Sequence, residues 1–375
     1  MTSPLRDELK AFETLAENFA LKELSPRREE SDRYPFGPFP DDILEKAYEV
    51  GFLGITLPEE LGGIGQGISA LCNVLERICR ADASLGAVIF TNTLSQEIIM
   101  RAGGSDILGR ILSSPADAKG FLIAFPSYSN PAEHSGLPAA KKGANGYALS
   151  GKVDYAVLGN LASHALVPAR TSGLDGYSLF LISLNDPRVR KSEPVFSLGV
   201  HACPACDLVL SNAEATLIGG EDRGKDPYED ASDFMNAAAA AMSLGVMRGS
   251  FDYALAYCNE REQGGWPIVN WSEIKMILSS MAVQVEVAGM AVSEACCAIE
   301  NKVSNGKTLA RAAALFVQDA ACLLTTDGIQ VLGGYGYMKD YGQEKRFRDA
   351  KQLQALLGLS PLRKLRFMDQ INAKA

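Results

Sequence analysis

Thr326–Gly358 reads TDGIQVLGGYGYMKDYGQEKRFRDAKQLQALLG. Two helical patterns meet in it at a glycine-rich corner, QVLGGYGY at 330–337, and it closes on Leu356, Leu357 and Gly358. Glycines let backbone N–H groups approach a phosphate closely and form an anion-binding concavity. The same GGxG sequence also reads as a tight turn between helices. Leu353, Leu356, Leu357, Leu359 and Leu362 recur at helix-packing spacing. Periodicity of this kind runs over 232–260, 272–303, 308–333 and 340–372. Four such helices joined by short loops predict an up-down bundle. Within the first of them, the run Ala237–Ala241 combines high helix propensity with room for close packing.

Upstream of the bundle the texture changes. GFLIAFPS at 120–127, YALSGKVDYAV at 147–157, SHALVPAR at 163–170, YSLFLISL at 177–184 and CDLVLSN at 206–212 are short apolar or alternating runs divided by turn residues. They predict a small antiparallel β domain over about 121–222. The charged, turn-rich GGEDRGKDPYED at 219–230 marks its end. Before it the chain is helical throughout. Leu5, Leu9, Phe12, Leu15, Phe19 and Leu21 set the first helix, over 4–24. A turn follows in YPFGPFP at 34–40, then a helix for which Asp41 and Asp42 are candidate N-caps. Further helices are expected over 69–82, 84–102 and 106–112, with a loop in GITLPEELGGIGQG at 54–67. The fold class is therefore α+β, with an N-terminal helical domain (1–119), a central antiparallel β domain (120–226) and a C-terminal four-helix bundle (227–375).

Composition narrows the function. Of 375 residues, 47% are hydrophobic and 22% charged, as in an ordinary globular protein. The net charge of -9 argues against a non-specific nucleic-acid binder. A local basic patch, Arg346, Arg348, Lys351, Arg363, Lys364 and Arg366, lies near the C-terminus. Of the 8 cysteines only Cys203 and Cys206 form a CxxC, without a second pair at zinc-ligand spacing. The 3 histidines are scattered, so no metal site is expected. No run of about 18 apolar residues predicts a membrane span. The acidic N-terminus lacks a signal-peptide core, so a cytoplasmic protein is expected.

Taken together, ITLPEELGG at 55–63, ADASLG at 81–86, LGVHACPACDLVL at 198–210, EREQGGWPI at 260–268, QVLGGYGY at 330–337 and RFRDAK at 346–351 make the whole chain resemble the acyl-CoA dehydrogenase family. The resemblance implies a flavoprotein with FAD at subunit interfaces and α,β-desaturation of an acyl-CoA or acyl-carrier thioester. It also implies homo- or hetero-oligomers and electron-transfer flavoprotein as an electron acceptor. A base takes the α-proton while hydride leaves the β-carbon. The base is normally a glutamate in an apolar pocket that tunes its pKa.

Against that pattern the site is uneven. The glutamate of a Tyr-Glu-Gly-Thr segment is replaced by Leu357 within Leu356, Leu357, Gly358, Leu359. The alternative base position, on the first bundle helix, is Met235. Asn236 stands where an arginine to the CoA portion is often found. In the loops that line the flavin ring, Ala124 replaces a threonine, Asn130 a serine, and Val157 a hydroxyl residue after Tyr155 and Ala156. No catalytic residue is assigned, and Glu344, Glu300 and Asp233 are the nearby acids. The nucleotide side of the FAD site, reached from a neighbouring subunit, is better kept. Arg261, Gln263, Gln330, Gly333 and Gly334 match it, with Gly336, although Gly264 replaces a phenylalanine.

Purely structural roles compete with these. Arg261 could be a surface ion-pair residue between Glu260 and Glu262, Tyr335 and Tyr337 core or interface aromatics, and Arg348 and Asp349 a structural pair. Three functions follow: an oxidoreductase subunit that supplies part of a FAD site in a heterotetramer and is active only with its partner; a self-sufficient flavoenzyme with a divergent site and reductase or oxygenase chemistry; or a non-catalytic scaffold.

Overall fold

The structure is a computed structural model that describes residues 3–32, 40–113, 115, 117–143, 146–171 and 176–372. Most of the expected turn at 34–40 lies outside the described residues. Among the described residues the chain opens with α1 (Ser3–Phe19), α2 (Asp41–Glu49), α3 (Ile68–Ala81), α4 (Ala83–Arg101) and α5 (Ser105–Leu112). Asp82 separates α3 from α4 and caps the latter by accepting from the Ser84 N–H at 2.6 Å. Helix α4 is buried on every side from Ala83 to Ile99, so it is a core helix without a polar face. At α2 the expected cap is corrected. Pro40 is the N-cap, and Asp41 and Asp42 fall in the first turn, where they complement the helix dipole.

The middle of the chain forms seven strands: β1 (Ile123–Ala124), β2 (Ala139–Gly143), β3 (Gly146–Val157), β4 (His164–Ala169), β5 (Ser178–Ser183), β6 (Val189–Lys191) and β7 (Ala205–Ile218). Their order is β1-β4-β5-β7-β3-β2, with β6 on β7. Pairing is antiparallel except for β1 on β4, which is parallel. That exception to the expected all-antiparallel sheet arises where the chain enters from the helical region, since β1 has only two residues and packs on α4.

The C-terminal part comprises α6 (Lys225–Glu260), a hairpin of β8 (Glu262–Gln263) and β9 (Trp266–Pro267), α7 (Ser272–Glu300), α8 (Gly306–Leu332), α9 (Gln343–Leu353) and α10 (Ser360–Asn372). Helix α6 begins seven residues earlier than its periodicity suggests, because the second half of the charged linker, from Lys225, is helical and Pro227 sits in its first turn. The fourth expected helix, 340–372, is instead two. The chain leaves helical geometry after Leu353, with Leu357 at φ 65 and Gly358 at φ 114, and resumes at Ser360. Helices α7 and α8 are long and apolar enough to cross a membrane by composition alone. In the fold they pack on each other and on α6.

Helix α9 ties the three parts together. Asp32 lies 2.6 Å from His201 Nδ1 and also receives the Arg348 guanidinium. Asp349 accepts from the Val200 N–H at 2.7 Å, and Lys345 bridges Asp82 and Asp349. Arg348 and Asp349 are therefore structural, but each pairs across the molecule rather than with the other. Burial pushes the Asp32 carboxyl up. Hydrogen bonds from His201 and Arg348 and the charge of Lys345 outweigh it and hold the group well below the usual carboxylate range.

Candidate functional site

Helix α8 ends at Leu332, and the chain turns through Gly333–Tyr337. Gly333 has φ 59 and ψ -133, a conformation that a side chain would strain. Gly336 is needed for packing, since a Cβ there would stand 2.3 Å from the Ile329 carbonyl oxygen. Gly334 is different. A Cβ on it would meet nothing within 4 Å, and its φ is not positive. Neither backbone nor packing in this chain asks for glycine there, so the open space at Gly334 suits the approach of something else.

The partner of this corner comes from the end of α6. Arg261 leaves the helix with its N–H still bonded to the Tyr257 oxygen, and the β8–β9 hairpin turns through Gly264 and Gly265 at φ 64 and 85. The glycine that replaces a phenylalanine is therefore the hairpin turn, and Trp271 donates to the Gln263 oxygen at 3.3 Å to close it. Between hairpin and corner lies a cleft of about 900 Å³ lined by Arg261, Gln263, Gln330, Gly333 and Gly334, all five of the expected nucleotide contacts. The Arg261 guanidinium is 5.6 Å from the centre of the Tyr335 ring and has no carboxylate within 4 Å among the described residues. The ion-pair role for Arg261 therefore fails. Tyr335 is a wall of the cleft, with Tyr257 and Tyr341 ring-on-ring beside it. Sequence reasoning missed Tyr257, Tyr341 and Trp271. The one available signal was that Tyr257 lies a helical turn before Arg261.

The other half of the expected site is closed. Leu357 is only 4% exposed, Met235 and Leu356 are fully buried, and the Leu357 N–H donates to the Ser127 oxygen at 2.9 Å. Ala124, Ala156 and Val157 are buried in the sheet. Tyr155, at φ 53, has its N–H on Asp207 and its hydroxyl accepting from Gln352 at 2.9 Å, while Tyr128 meets its ring edge-on at 5.7 Å. The hydroxyls that remain here, Thr91 and Ser127, bond to each other at 2.9 Å. The Asn130 side chain caps the following short turn through the Ala132 N–H. Thr91, Ser127, Asn130 and Tyr155 thus have partners within the chain, whereas the Tyr128 hydroxyl is buried without one.

One residue in this region was not foreseen. Arg363 of α10 is buried, and it donates to Gln318 Oε1 at 2.6 Å, to the Leu356 oxygen at 3.0 Å and to Asn236 Oδ1 at 2.9 Å. Arg363 thus places a guanidinium against Asn236, the position at which the resemblance implies an arginine. Burial pulls it down to about 10. The space left among Asn236, Leu357, Arg363, Arg366 and Arg311 is about 80 Å³, and it shares no lining residue with the large cleft. The candidate replacement acids are engaged. Asp233 pairs with Arg311 and Lys307, Glu344 with Arg348, and Glu300 accepts from the Ser69 N–H at 3.0 Å. Cys203 and Cys206 are buried, and burial pushes both thiols up, Cys206 to about 11, which makes them poor nucleophiles. Among the described residues no group of three or more His, Cys, Asp or Glu could hold a metal.

FAD can be tested against these two regions. The large cleft suits its phosphates and adenine, with an unpaired arginine, glycines open to solvent and aromatic walls. The interior around Leu357 and Tyr155 does not suit its ring system.

Comparison with known proteins is consistent along the chain. The family model described as acyl-CoA dehydrogenase, N-terminal domain, matches residues 6–118, and that described as acyl-CoA dehydrogenase, C-terminal domain, matches 230–367. The cyclohex-1-ene-1-carbonyl-CoA dehydrogenase of Syntrophus aciditrophicus is 27% identical over 371 residues, 96% of this chain and 89% of the relative. An acyl-CoA dehydrogenase of Bacillus subtilis is 28% identical over 94% of each chain. A chain in the solved structure of the electron transferring flavoprotein of Acidaminococcus fermentans superposes with a TM-score of 0.89, at 26% identity, covering 99% of this chain and 98% of that one.

Proposed function

From the premise that this chain belongs to the acyl-CoA dehydrogenase family, whose members are FAD-linked oxidoreductases of acyl thioesters, we propose that it is one subunit of a heteromeric assembly. In this reading Arg261, Gln263, Gln330, Gly333 and Gly334 hold the pyrophosphate and adenine of a FAD whose ring lies in a partner chain of the same family. Bound FAD supplies the hydride acceptor for α,β-desaturation. This chain supplies charge neutralisation through Arg261, backbone donors through the glycine corner, and an aromatic wall through Tyr335 and Trp271.

The observation that carries the proposal is the contrast at Gly334 and Leu357. The first is open with no internal reason to be glycine, and the second is pinned to Ser127 where a base would act. An exposed apolar stripe supports a partner. Met276, Val283, Val287 and Met290 share one face of α7, and Phe316 and Leu323 are exposed on α8. The A. fermentans match supports an electron-transfer flavoprotein as acceptor.

The test is to express this chain alone and with a family member that keeps the glutamate. The proposal expects no stoichiometric FAD and no acyl-CoA desaturation from the single chain. It expects a mixed oligomer with both. A single chain that carries one FAD and reduces it with an acyl-CoA would overturn it, and a mixed oligomer insensitive to Arg261→Ala would leave only the scaffold role.

A further inference from the structure

A second buried arginine lies outside both regions and plays no part in the proposed function. Arg346 of α9 is 9% exposed, yet it has no carboxylate within 4 Å among the described residues. Its hydrogen bonds are long: Nη1 to the Gly342 oxygen at 3.3 Å and to Gln343 Oε1 at 3.5 Å. Its guanidinium lies 5.4 Å from the Tyr253 ring centre. It packs against α6 at Gly249, where a Cβ would stand 2.3 Å from the Arg80 carbonyl oxygen and 3.1 Å from Arg346 Nε. Burial, then the nearby Arg28, pull the Arg346 guanidinium down to about 9 against weaker upward pulls from Tyr253, Asp349 and Asp252. Arg28 Nε is itself buried without a hydrogen-bond partner. A buried cation with weak neutral partners and a second cation beside it is costly, and an apolar side chain of similar size would be less so.

Arg346 does not face solid core. It lines a cavity of about 360 Å³ with Arg77, Arg80, Ser25, Tyr253 and Leu21. Two acids also line it. Asp252 is taken by Arg80 at 2.6 Å, and Glu17 is exposed. Arg77 is taken by Glu13 and Glu76.

We propose that this cavity between α1, α3, α6 and α9 is a binding site for a small oxyanion, a phosphate or a carboxylate, with Arg346 as its buried anchor and Arg80 at its mouth. The anion supplies the direct carboxylate-like contact that Asp349 and Asp252 do not make to Arg346, and Arg80 exchanges Asp252 for it. The site is independent of FAD and of any partner chain. Retention of a destabilising arginine follows from binding, since functional sites commonly cost stability.

The experiment uses the full chain and measures thermal midpoint and titration calorimetry with inorganic phosphate, with malonate, and with chloride at matched ionic strength. Phosphate or malonate should raise the midpoint above chloride and bind at one site per chain, and which of the two does so identifies the class. Arg346→Leu should abolish that shift while leaving the anion-free midpoint equal or higher. Arg80→Gln, at the exposed mouth, should keep the fold and weaken binding about tenfold, as expected for one charge-assisted contact. Equal midpoints in phosphate, malonate and chloride overturn the proposal, as does an anion shift that survives in Arg346→Leu.

Discussion

The glycine corner and the leucine end lie only about a helix apart in sequence, yet they are built on opposite rules. At the corner, glycine is required at Gly333 by φ and at Gly336 by packing, while Gly334, Arg261 and Tyr335 are left open around a cleft of about 900 Å³. At the other end, Met235 and Leu356 are fully buried, Leu357 borders a space of only about 80 Å³ with Asn236 and Arg363, and Ser127 and Tyr155 bond within the chain. The open region has spare chemistry and little structural duty. The closed region has structural duty and, apart from the buried Tyr128 hydroxyl, little spare chemistry. Variants that confuse the two roles separate them experimentally.

The largest effect is expected where a family-like carboxylate is restored. Leu357→Glu places an acid in an apolar, nearly sealed position, which should cost about 4 kcal/mol at neutral pH. The folded-state pKa of such a group is raised by burial. The deficit should therefore be small below about pH 4, near the unfolded value for glutamate, and should grow as pH rises. On the proposed reading no desaturation should appear in the single chain, because Ala124 and Val157 offer no hydroxyl to a flavin ring. Denaturant unfolding at several pH values and an acyl-CoA reduction assay check both statements. A stable, active Leu357→Glu chain would erase the distinction between the regions.

Next comes the lock that holds the closed region in place. Asp32→Asn leaves His201 and Arg348 buried against a neutral amide and should cost about 2–3 kcal/mol at neutral pH. Because the Asp32 pKa is depressed on folding, its stabilisation is present above the unfolded value near pH 4 and is lost as pH falls below it. Wild type and variant should therefore converge in acid. A constant difference from pH 3 to pH 7 would mean that the carboxylate charge is not what the lock uses.

How much of this was legible beforehand follows the range of the interactions. Helix periodicity is local, so α3, α4, α7 and α8 emerge within a few residues of their bounds. The glycine corner is legible for the same reason, since the φ of Gly333 is a property of one residue. The break between α9 and α10 is not. QLQALLGLS carries helix-compatible leucines, and the turn is held from far away: by the Ser127 carbonyl, 230 residues upstream in another layer, on the Leu357 N–H, and by Arg363 and Gln318 on the Leu356 and Leu353 oxygens. Arg363 escaped notice likewise, because its three acceptors come from α6, α8 and the turn before α10. The residues at the expected base and flavin-ring positions were readable one by one. That Tyr155 and Gln352 close over the same place was not.

Smaller effects on stability are expected in the open region. Arg261→Ala removes an exposed guanidinium without an ion pair and should shift unfolding by no more than about 0.5 kcal/mol. In the mixed oligomer it should weaken FAD retention about tenfold or more, the scale of a lost charge-assisted phosphate contact. FAD release during gel filtration, compared with unfolding of the single chain, reads the two quantities separately. A large stability loss without FAD loss would return Arg261 to a structural role.

The smallest stability effect belongs to Gly334→Ala, and it is the sharpest probe of the comparison. The added methyl meets nothing within 4 Å in this chain, whereas the same change two residues on, at Gly336, runs into the Ile329 carbonyl. Helix-end propensity at an exposed turn leaves a shift within about 0.5 kcal/mol. The methyl does occupy the surface over which a phosphate would lie closest to the backbone, so FAD retention by the mixed oligomer should fall a few-fold while assembly is unchanged. If Gly334→Ala leaves FAD retention intact and Arg261→Ala does not, the nucleotide passes the arginine without touching the corner, and the glycines are then only a turn.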